Sequence, residues 1–293
     1  MKKTKPTKLM GVDVGFAKDR DTTGIACLDG DKLYLWRART SWESRKARIP
    51  VDFVPDVIAS DGPLLPQGAD GLVRRGCELT FIRKPFWNRC KPALSHYGFG
   101  LNFRRAANEA CAQFGQFLAG STPSTHPTLA NCCGPIVEAF PNAFLAVLLP
   151  DEEFQSAPKL KRGQRFDWLY ERAVGSEKVR STLSQAVHLP KEVWHQLSSQ
   201  MDHELRAALV CLLTAAFAAQ GNAEKVGDAK GGWFWLPPIC LWQDWARDGL
   251  RTAEFFASRK ARADFKAFDK IMERRGGKRP RAGDELPART KGE

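Results

Sequence analysis

The fold is decided by the stretch Leu9-Met10-Gly11-Val12-Asp13-Val14-Gly15-Phe16-Ala17-Lys18. It is a short apolar run that carries one carboxylate, Asp13, into a bend that contains glycine. Two further β-rich runs follow at residues 22–28 and 32–38, and the turn Asp29-Gly30 joins them. Two such runs around an Asp-Gly turn predict a hairpin. We therefore expect the chain to open with a three-stranded meander that has Asp13 in its first strand.

Asp13 is the residue of this meander that requires an explanation. A lone carboxylate in an apolar strand is costly to bury unless it is paired or binds a metal. The alternative is an aspartate whose side chain accepts hydrogen bonds from backbone N–H groups in the following turn. The spacing alone leaves both interpretations open.

Length and charge limit the class of protein. The chain has 293 residues, of which 43% are hydrophobic, and a formal net charge of +12. This length suits one large α/β domain or two small ones with a sizeable core. A pI of about 9.4 favours an anionic partner, and nucleic acid is the commonest candidate. The alternative is a generally basic protein without such a partner.

The cysteines and the apolar segments bear on the cellular compartment. Eight cysteines occur without a CxxC pair, mostly within apolar runs, which indicates reduced, buried thiols in a cytoplasmic protein and no disulfide framework. None has the spacing of zinc ligands with a matching histidine, so we expect no zinc site. The basic N-terminus lacks the apolar core of a secretion signal. The longest apolar stretch, residues 207–219, is too short to span a bilayer, so we expect no membrane association.

Four further carboxylates lie where a site is expected. Asp61 and Glu138 each stand at the end of a short apolar run that reads as a strand, and Asp202 and Glu204 begin the most apolar helix, which we predict to run to about residue 220. In parallel α/β sheets, ligands bind at the carboxyl ends of strands. The alternatives are that Asp61 only opens a turn and that Asp202 caps the helix, whose dipole favours acids in the first turn.

Together these carboxylates suggest a site for Mg²⁺ or Mn²⁺. Mg²⁺ is typically held by a few carboxylates together with water and phosphate oxygens. Two metal ions about 4 Å apart can activate a water and stabilise the leaving oxygen in phosphodiester cleavage. The order of elements looks like the ribonuclease H-like fold. It is a meander, then a strand, then helices, and finally a late helix that carries carboxylates.

Four motifs are similar, in the same order, to those of the domain of unknown function 429 family, which is regarded as a family of predicted nucleases of ribonuclease H-like fold. They are Gly11-Val12-Asp13, Ser60-Asp61-Gly62-Pro63-Leu64, Val137-Glu138-Ala139-Phe140-Pro141 and His203-Glu204-Leu205-Arg206-Ala207-Ala208-Leu209-Val210. The resemblance covers residues 8–238 and implies carboxylate roles for Asp13, Asp61 and Glu138. In the last motif the family often has an aspartate where this chain has Arg206. A carboxylate there would therefore come from Asp202 or Glu204.

The leading hypothesis is a divalent-metal-dependent nuclease. Asp13 would bridge the metals, Asp61 and Glu138 would complete the ligand shell, and Asp202 or Glu204 would hold the second ion. The expected fold is α/β, a ribonuclease H-like mixed sheet that opens with the meander and is flanked by helices over residues 8–238. A loop-rich insertion is expected at about 65–130, a basic helical extension at 239–275 and a disordered tail at 276–293.

Two basic segments are the candidate nucleic-acid contacts. Aromatic residues alternate with basic ones over 74–91, which suits a phosphate backbone with stacked bases. Residues 259–281 hold ten Lys/Arg and three Asp/Glu, which gives +7. The candidates are Arg74, Arg75, Arg83, Lys84, Arg89, Lys91, Lys260, Arg262, Lys266 and Lys270. The alternatives are aromatic side chains that fix a long loop to the core and a C-terminal helix that packs through its phenylalanines.

Two other classes of protein stay open. A nucleic-acid-binding protein of the same fold without catalysis would bind DNA or RNA with or without Mg²⁺, and Arg206 favours it. A phosphotransferase of the actin and sugar-kinase type also has Asp-x-Gly in its first hairpin. The chain is short for that two-lobed fold and has no second glycine-rich hairpin. The sequence does not indicate DNA or RNA as the substrate, nor an oligomeric state.

Overall fold

The computed structural model describes residues 8–64, 75–90, 94–96, 98–114, 136–160, 163–228 and 231–258. The strands within these ranges are β1 Lys8–Asp13, β2 Thr23–Asp29, β3 Lys32–Ala38, β4 Val57–Asp61, β5 Ile136–Ala139, β6 Glu224–Asp228 and β7 Gly232–Leu236. The helices are α1 Trp42–Lys46, α2 Gly76–Phe81, α3 Trp87–Cys90, α4 Gly98–Phe114, α5 Pro141–Ala146, α6 Asp151–Gln155, α7 Gln164–Gly175, α8 Glu177–Ala186, α9 Lys191–Ser199, α10 His203–Ala219 and α11 Asp244–Ser258. A short 3₁₀ turn at Ile239–Leu241 precedes α11.

The strands form one mixed seven-stranded sheet in the order β3-β2-β1-β4-β5-β7-β6. β1, β2 and β3 make an antiparallel meander, as predicted. β4 pairs parallel to β1, β5 parallel to β4 and β7 parallel to β5, while β6 closes the far edge antiparallel to β7. The predicted α/β class, a mixed sheet flanked by helices, is confirmed. The strand β6 was not predicted, because its polar sequence lacks a β-strand pattern.

Around β1, β2 and β4, each face of the sheet has its own buried core, and at β7 the larger core reaches both faces through Phe234 and Trp235. Alternate residues of β1 divide between the two cores: Leu9 belongs to the larger core, and Met10 and Val12 belong to the smaller one. The larger core lies under α10, α5 and α7, and the smaller core lies under α4. Successive side chains along a strand point to opposite faces of the sheet. Odd-numbered and even-numbered residues of β1 therefore pack against different helices. The odd-numbered residues of β1, including Asp13, therefore face α10.

Helix α10 lies directly on β1. A Cβ atom at Gly11 would come closer than 3.0 Å to backbone atoms of Ala208 and Leu212, so only glycine allows this approach. The helix is buried nearly all round, which explains its apolar sequence. Its predicted start is confirmed, because the Asp202 side chain caps it by accepting from the Leu205 N–H at 3.1 Å.

The segment after residue 238 belongs to the same core. Trp242, Ala246 and Leu250 are buried in the larger core. The indole N–H of Trp242 donates to the Pro237 carbonyl at 2.8 Å, and that of Trp245 donates to the Leu149 carbonyl at 2.8 Å. The start of the predicted extension thus packs on the domain. Its most basic part, residues 259–281, lies outside the described residues.

Two further observations concern the cysteines and the membrane. Six cysteines fall within the described ranges and all six are free thiols, five of them buried and Cys240 exposed. Burial raises the pKa of the Cys111 thiol to about 12, so it stays protonated near neutral pH. Cys132 and Cys133 lie outside the described residues. Among the helices of the described part of the chain, none is both long and apolar enough to cross a bilayer.

Candidate functional site

A row of residues crosses the sheet at the carboxyl end of β1. Asp13 pairs with Asp61 of β4 on one side and with Gly24 of β2 on the other. The row continues from Gly24 to Arg37 of β3 and from Asp61 to Ala139 of β5. Residues paired across neighbouring strands point to the same face. Asp13 and Asp61 therefore present their carboxylates side by side on the face that α10 covers.

Gly24 brings the start of α10 down onto this row. A Cβ atom there would lie closer than 3.0 Å to the carbonyl oxygen of Glu204 and would also crowd Ala208. The first turn of α10 thus rests on the one residue of the row without a side chain. The Asp13–Asp61 pair lies on one side of this contact and Arg37 lies on the other.

Burial and like charge dominate the electrostatics of this pair. Burial raises the pKa of Asp13 well above its usual range, and the negative charges of Asp61, Glu204 and Asp202 raise it further, in that order. Burial, and then the charge of Glu138, raises the pKa of Asp61 to about 7. Among the described residues, no hydrogen bond or ion pair to either carboxylate offsets these effects. A cation placed between Asp13 and Asp61 would relieve them.

Arg37 holds the two acids at the start of α10. Its Nη1 lies 3.0 Å from Oδ2 of Asp202, and its Nη2 lies 3.7 Å from Oε1 of Glu204. Its Nε donates to the Asp21 carbonyl at 2.7 Å, which fixes the guanidinium. Asp202 therefore serves as cap and as ion-pair partner, which confirms the structural alternative for this residue. Glu204 is the acid of this helix whose charge acts most strongly on Asp13.

Glu138 lies on the opposite face of the sheet from Asp13, although its charge still acts on Asp61, and its role as a metal ligand stays a prediction. In β5 it pairs with Ser60, while Ala139 pairs with Asp61. Glu138 therefore points to the α4 face of the sheet, opposite to Asp13 and Asp61. It is 1% exposed and forms a two-pronged ion pair with Arg75, with one N–H···O distance of 2.8 Å.

This ion pair is the centre of a buried polar network. Oε2 of Glu138 also accepts from the Leu64 N–H at 2.9 Å. Arg75 donates to the Gly231 carbonyl at 2.6 Å and to Glu78 at 3.3 Å. Burial raises the pKa of Glu138 to about 7, against the opposing effect of the Arg75 guanidinium. Both oxygens of Glu138 accept hydrogen bonds within the protein, and the Arg75 guanidinium balances its charge.

Comparison with known proteins returned nothing. No family model, no curated protein and no solved structure matches this chain. The resemblance to the domain of unknown function 429 family therefore stays a prediction. What can be said of function comes from the geometry of the chain itself.

Arg206 does not obstruct the site. Its Nη1 lies 3.2 Å from Asp167 and 3.3 Å from Glu171, both on α7. Its Nε donates to the Gln200 carbonyl at 2.8 Å, and its guanidinium lies 5.0 Å from the centre of the Tyr170 ring. Arg206 thus joins α10 to α7, away from the Asp13–Asp61 pair. Whether the absence of an aspartate at this position removes catalysis stays a prediction.

Two of the predicted nucleic-acid contacts are occupied within the protein. Arg75 is fully buried in the Glu138 network, so it cannot reach a phosphate backbone. Arg89 pairs with Asp151, and its guanidinium lies 4.5 Å from the Trp245 ring centre. The prediction for Arg75 is wrong, because sequence composition does not distinguish a structural arginine from an exposed one. The prediction for Arg89, whose side chain is 17% exposed, stays untested.

The other predicted contacts are untested by the fold. Lys84 is exposed and Arg83 is half-buried with a partner of its own. The rest lie outside the described residues: Arg74, Lys91, Lys260, Arg262, Lys266 and Lys270.

Arg104 is a candidate that sequence reasoning missed. It is only 7% exposed, and its Nη1 is buried without a hydrogen-bond partner among the described residues. On α4, Cys111 meets Ser60 and Ala107 lies against Gly62, so Arg104, about one turn earlier, lies beyond the carboxyl end of β4. A buried arginine without a contacting carboxylate is unfavourable, and an anion would satisfy it. Its helical pattern alone reads as an ordinary amphipathic face.

The donor set can be tested against a divalent metal. Within the described part of the chain, no three His, Cys, Asp or Glu side chains stand close enough together to hold a metal ion unaided. Mg²⁺, however, usually keeps several waters and takes only one or two carboxylates plus substrate phosphates. The Asp13–Asp61 pair, without a cation partner among the described residues, offers such a donor set. The site therefore fits Mg²⁺ or Mn²⁺ and does not fit a closed zinc site.

Proposed function

We propose that this chain is a divalent-metal-dependent nuclease built on a ribonuclease H-like sheet. One observation carries the proposal, the in-register Asp13–Asp61 pair on adjacent parallel strands beneath the start of α10. The support from the fold is the meander followed by β4 and β5 parallel to β1. A late helix then brings Glu204 close enough to raise the pKa of Asp13.

In this proposal some residues of the site bind the metal and others hold these ligands in position. Asp13 and Asp61 would hold Mg²⁺ or Mn²⁺, with Glu204 close to them. When bound, the metal would polarise the phosphate and lower the pKa of a water. Arg37 keeps Glu204 and Asp202 in place through its ion pairs, and Gly24 sets the distance between α10 and the strands. Glu138 has a structural role in this proposal.

The substrate would be a polyanion. The chain carries a net charge of +12, and Arg104 places beyond the end of β4 a buried guanidinium nitrogen that no described residue satisfies. A phosphodiester backbone supplies the negative charge that both features favour. Such binding should weaken steeply as salt is raised, because each phosphate contact releases condensed counterions.

A cleavage assay tests the proposal. Labelled single- and double-stranded DNA and RNA are incubated with the protein in Mg²⁺, in Mn²⁺ and in EDTA. We expect cleavage only with metal, and its loss in Asp13→Asn. The matched control is Asp19→Asn, since the Asp19 side chain is 85% exposed. Cleavage that persists in Asp13→Asn, or that is absent from every substrate with either metal, would refute the proposal.

A further inference from the structure

Three phenylalanine rings lie beside the ends of β1 and β4. Phe16 follows Asp13 by three residues, and its ring centre lies 4.9 Å from that of Phe99 and 6.0 Å from that of Phe103. The Phe103 ring reaches to 3.5 Å from where a Cβ of Gly62 would be, next to Asp61. These three rings, called here the aromatic cluster, thus link the strand ends that carry the two aspartates.

The aromatic cluster packs on the smaller core through Phe103 and leaves its other two rings exposed. Phe16 is 37% exposed and Phe99 is 52% exposed, and both stand among the few exposed large hydrophobic side chains of the described residues. Isolated exposed apolar residues are common on protein surfaces. Exposed rings that contact each other at the strand ends that carry a candidate catalytic pair are a different observation, because a flat apolar surface in contact with water favours a flat apolar ligand.

Rigid elements hold the cluster. The buried Arg45 donates to the Gly15 carbonyl at 3.2 Å, and Gly15 packs against Thr22 so closely that a Cβ would not fit. The residue before Phe16 is therefore fixed. Phe99 and Phe103 are four residues apart on α4 and so share one face of it. Asn108 ties that helix to the Pro63 carbonyl at 3.0 Å.

Charge beside the cluster favours a nucleic acid over an apolar partner. On α4, Phe103 and Arg104 lie on opposite flanks of the face that packs on β4. The rings are on the β1 side, and Arg104 lies on the side of Arg75 and Glu78, whose charges act on it. An unpaired nucleotide offers both groups that these flanks would bind, a base with a flat face and a phosphate. Base–aromatic stacking and basic residues together are typical of single-strand binding.

We infer that the aromatic cluster stacks an unpaired base of the substrate at the strand ends that carry Asp13 and Asp61, on the α4 side of the sheet, so that the substrate class is single-stranded nucleic acid. This inference rests on the proposed nuclease function and narrows it. A base-paired duplex keeps its bases stacked on one another and offers no free face to the rings. Phe16 and Phe99 position the substrate and do not take part in bond cleavage.

Binding without metal separates the inference from catalysis. Fluorescence anisotropy in EDTA measures the affinity for three labelled oligomers of equal length and charge: oligothymidine, oligouridine and an oligomer of abasic sites. The proteins are the wild type, Phe16→Ala/Phe99→Ala, Phe99→Leu, Phe99→Trp and the control Val51→Ala. Val51 is 91% exposed and precedes Asp56, which pairs with Lys8 at the opposite end of β1 from Asp13. Thermal melts verify that each variant is folded.

The expected pattern is specific to stacking. The double variant should bind oligothymidine and oligouridine about tenfold or more weakly, as expected for the loss of one stacked base, and the abasic oligomer equally well. Phe99→Leu should lose affinity, and Phe99→Trp should keep or gain it. Val51→Ala should match the wild type. A difference between oligothymidine and oligouridine would identify DNA or RNA as the preferred source of the base.

Other results would overturn the inference. The inference is wrong if the wild type and the folded double variant bind oligothymidine equally well. It is also wrong if the double variant loses as much affinity for the abasic oligomer as for oligothymidine. Wild-type cleavage of duplex alone would reject single strands while leaving the nuclease proposal intact. Failure of the wild type both to bind and to cleave any nucleic acid would reject both.

Discussion

Replacing Asp61 with asparagine should stabilise the metal-free protein above neutral pH. The folded state raises the pKa of Asp61 from its ordinary value near 3.8 to about 7. The unfolded chain therefore releases this proton at lower pH than the folded protein does. Between about pH 4 and pH 7 the folded state loses stability as pH rises, and above pH 7 the whole cost is present. Asparagine carries no charge and removes this cost.

The size of the effect follows from the shift. One pKa unit corresponds to about 1.4 kcal/mol, so a shift from 3.8 to about 7 corresponds to a cost on the order of 4 kcal/mol. For a domain of this size, each kcal/mol raises the melting temperature by roughly 2–4 °C. We expect Asp61→Asn in EDTA to melt roughly 10 °C above the wild type at pH 8 and close to it at pH 4.

The assay is thermal unfolding at pH 4, 6 and 8, in EDTA and with Mg²⁺. Mg²⁺ should raise the melting temperature of the wild type at pH 8, because it binds only the folded pair. It should do much less for Asp61→Asn. Asp19→Asn, an exposed change, should track the wild type throughout. If Asp61→Asn melts at or below the wild type in EDTA at pH 8, burying the charge of Asp61 has no measurable cost and the reasoning is refuted.

Three further changes test the elements around the site. Gly24→Ala should lower the free energy of unfolding, measured in urea, by about 3 kcal/mol or more, because the new methyl group pushes the start of α10 away. Gly175→Ala is the control and should be neutral, because Gly175 has open space around it. Similar effects of the two changes would contradict the close approach of α10 to Gly24. Arg75→Met should cost about 3–5 kcal/mol, because Glu138 is left buried and unpaired, and adding Glu138→Gln should recover part of that loss. If Arg75→Met/Glu138→Gln is no more stable than Arg75→Met, the unpaired charge of Glu138 is not the cause of the loss. Asp202→Ala should cost about 1 kcal/mol for the lost helix cap, and an unchanged urea midpoint would show that the cap contributes nothing.

The meander and the long apolar helix could be predicted from sequence because their signals are local. An Asp-Gly turn between β-rich runs and an aspartate before a run of Ala and Leu need no distant partner. Asp13 and Asp61 could be placed for the same reason, since each ends an apolar strand. Their side-by-side position depends on strand pairing, which the sequence supports only through the order of elements.

What the sequence did not reveal has physical causes. β5 is buried on both faces, so its sequence has no alternation to show that Glu138 points away from Asp61. Arg75 and Arg89 look like exposed basic residues until their partners Glu138 and Asp151, 63 and 62 residues away, are in place. Arg37 gave no signal, since an arginine in a half-buried strand reads as a solvent-facing position. Long-range pairing decides all of these cases.

The Glu138 network has a consequence for how this chain can vary. One carboxylate accepts from the backbone of Leu64 and from the side chain of Arg75, so it fastens the chain on both sides of residues 65–74. Leu64 and Arg75 are therefore held together by a side chain of β5 as well as by the chain between them. We expect an affinity tag inserted between these two anchors to leave Asp61 and α2 where they are.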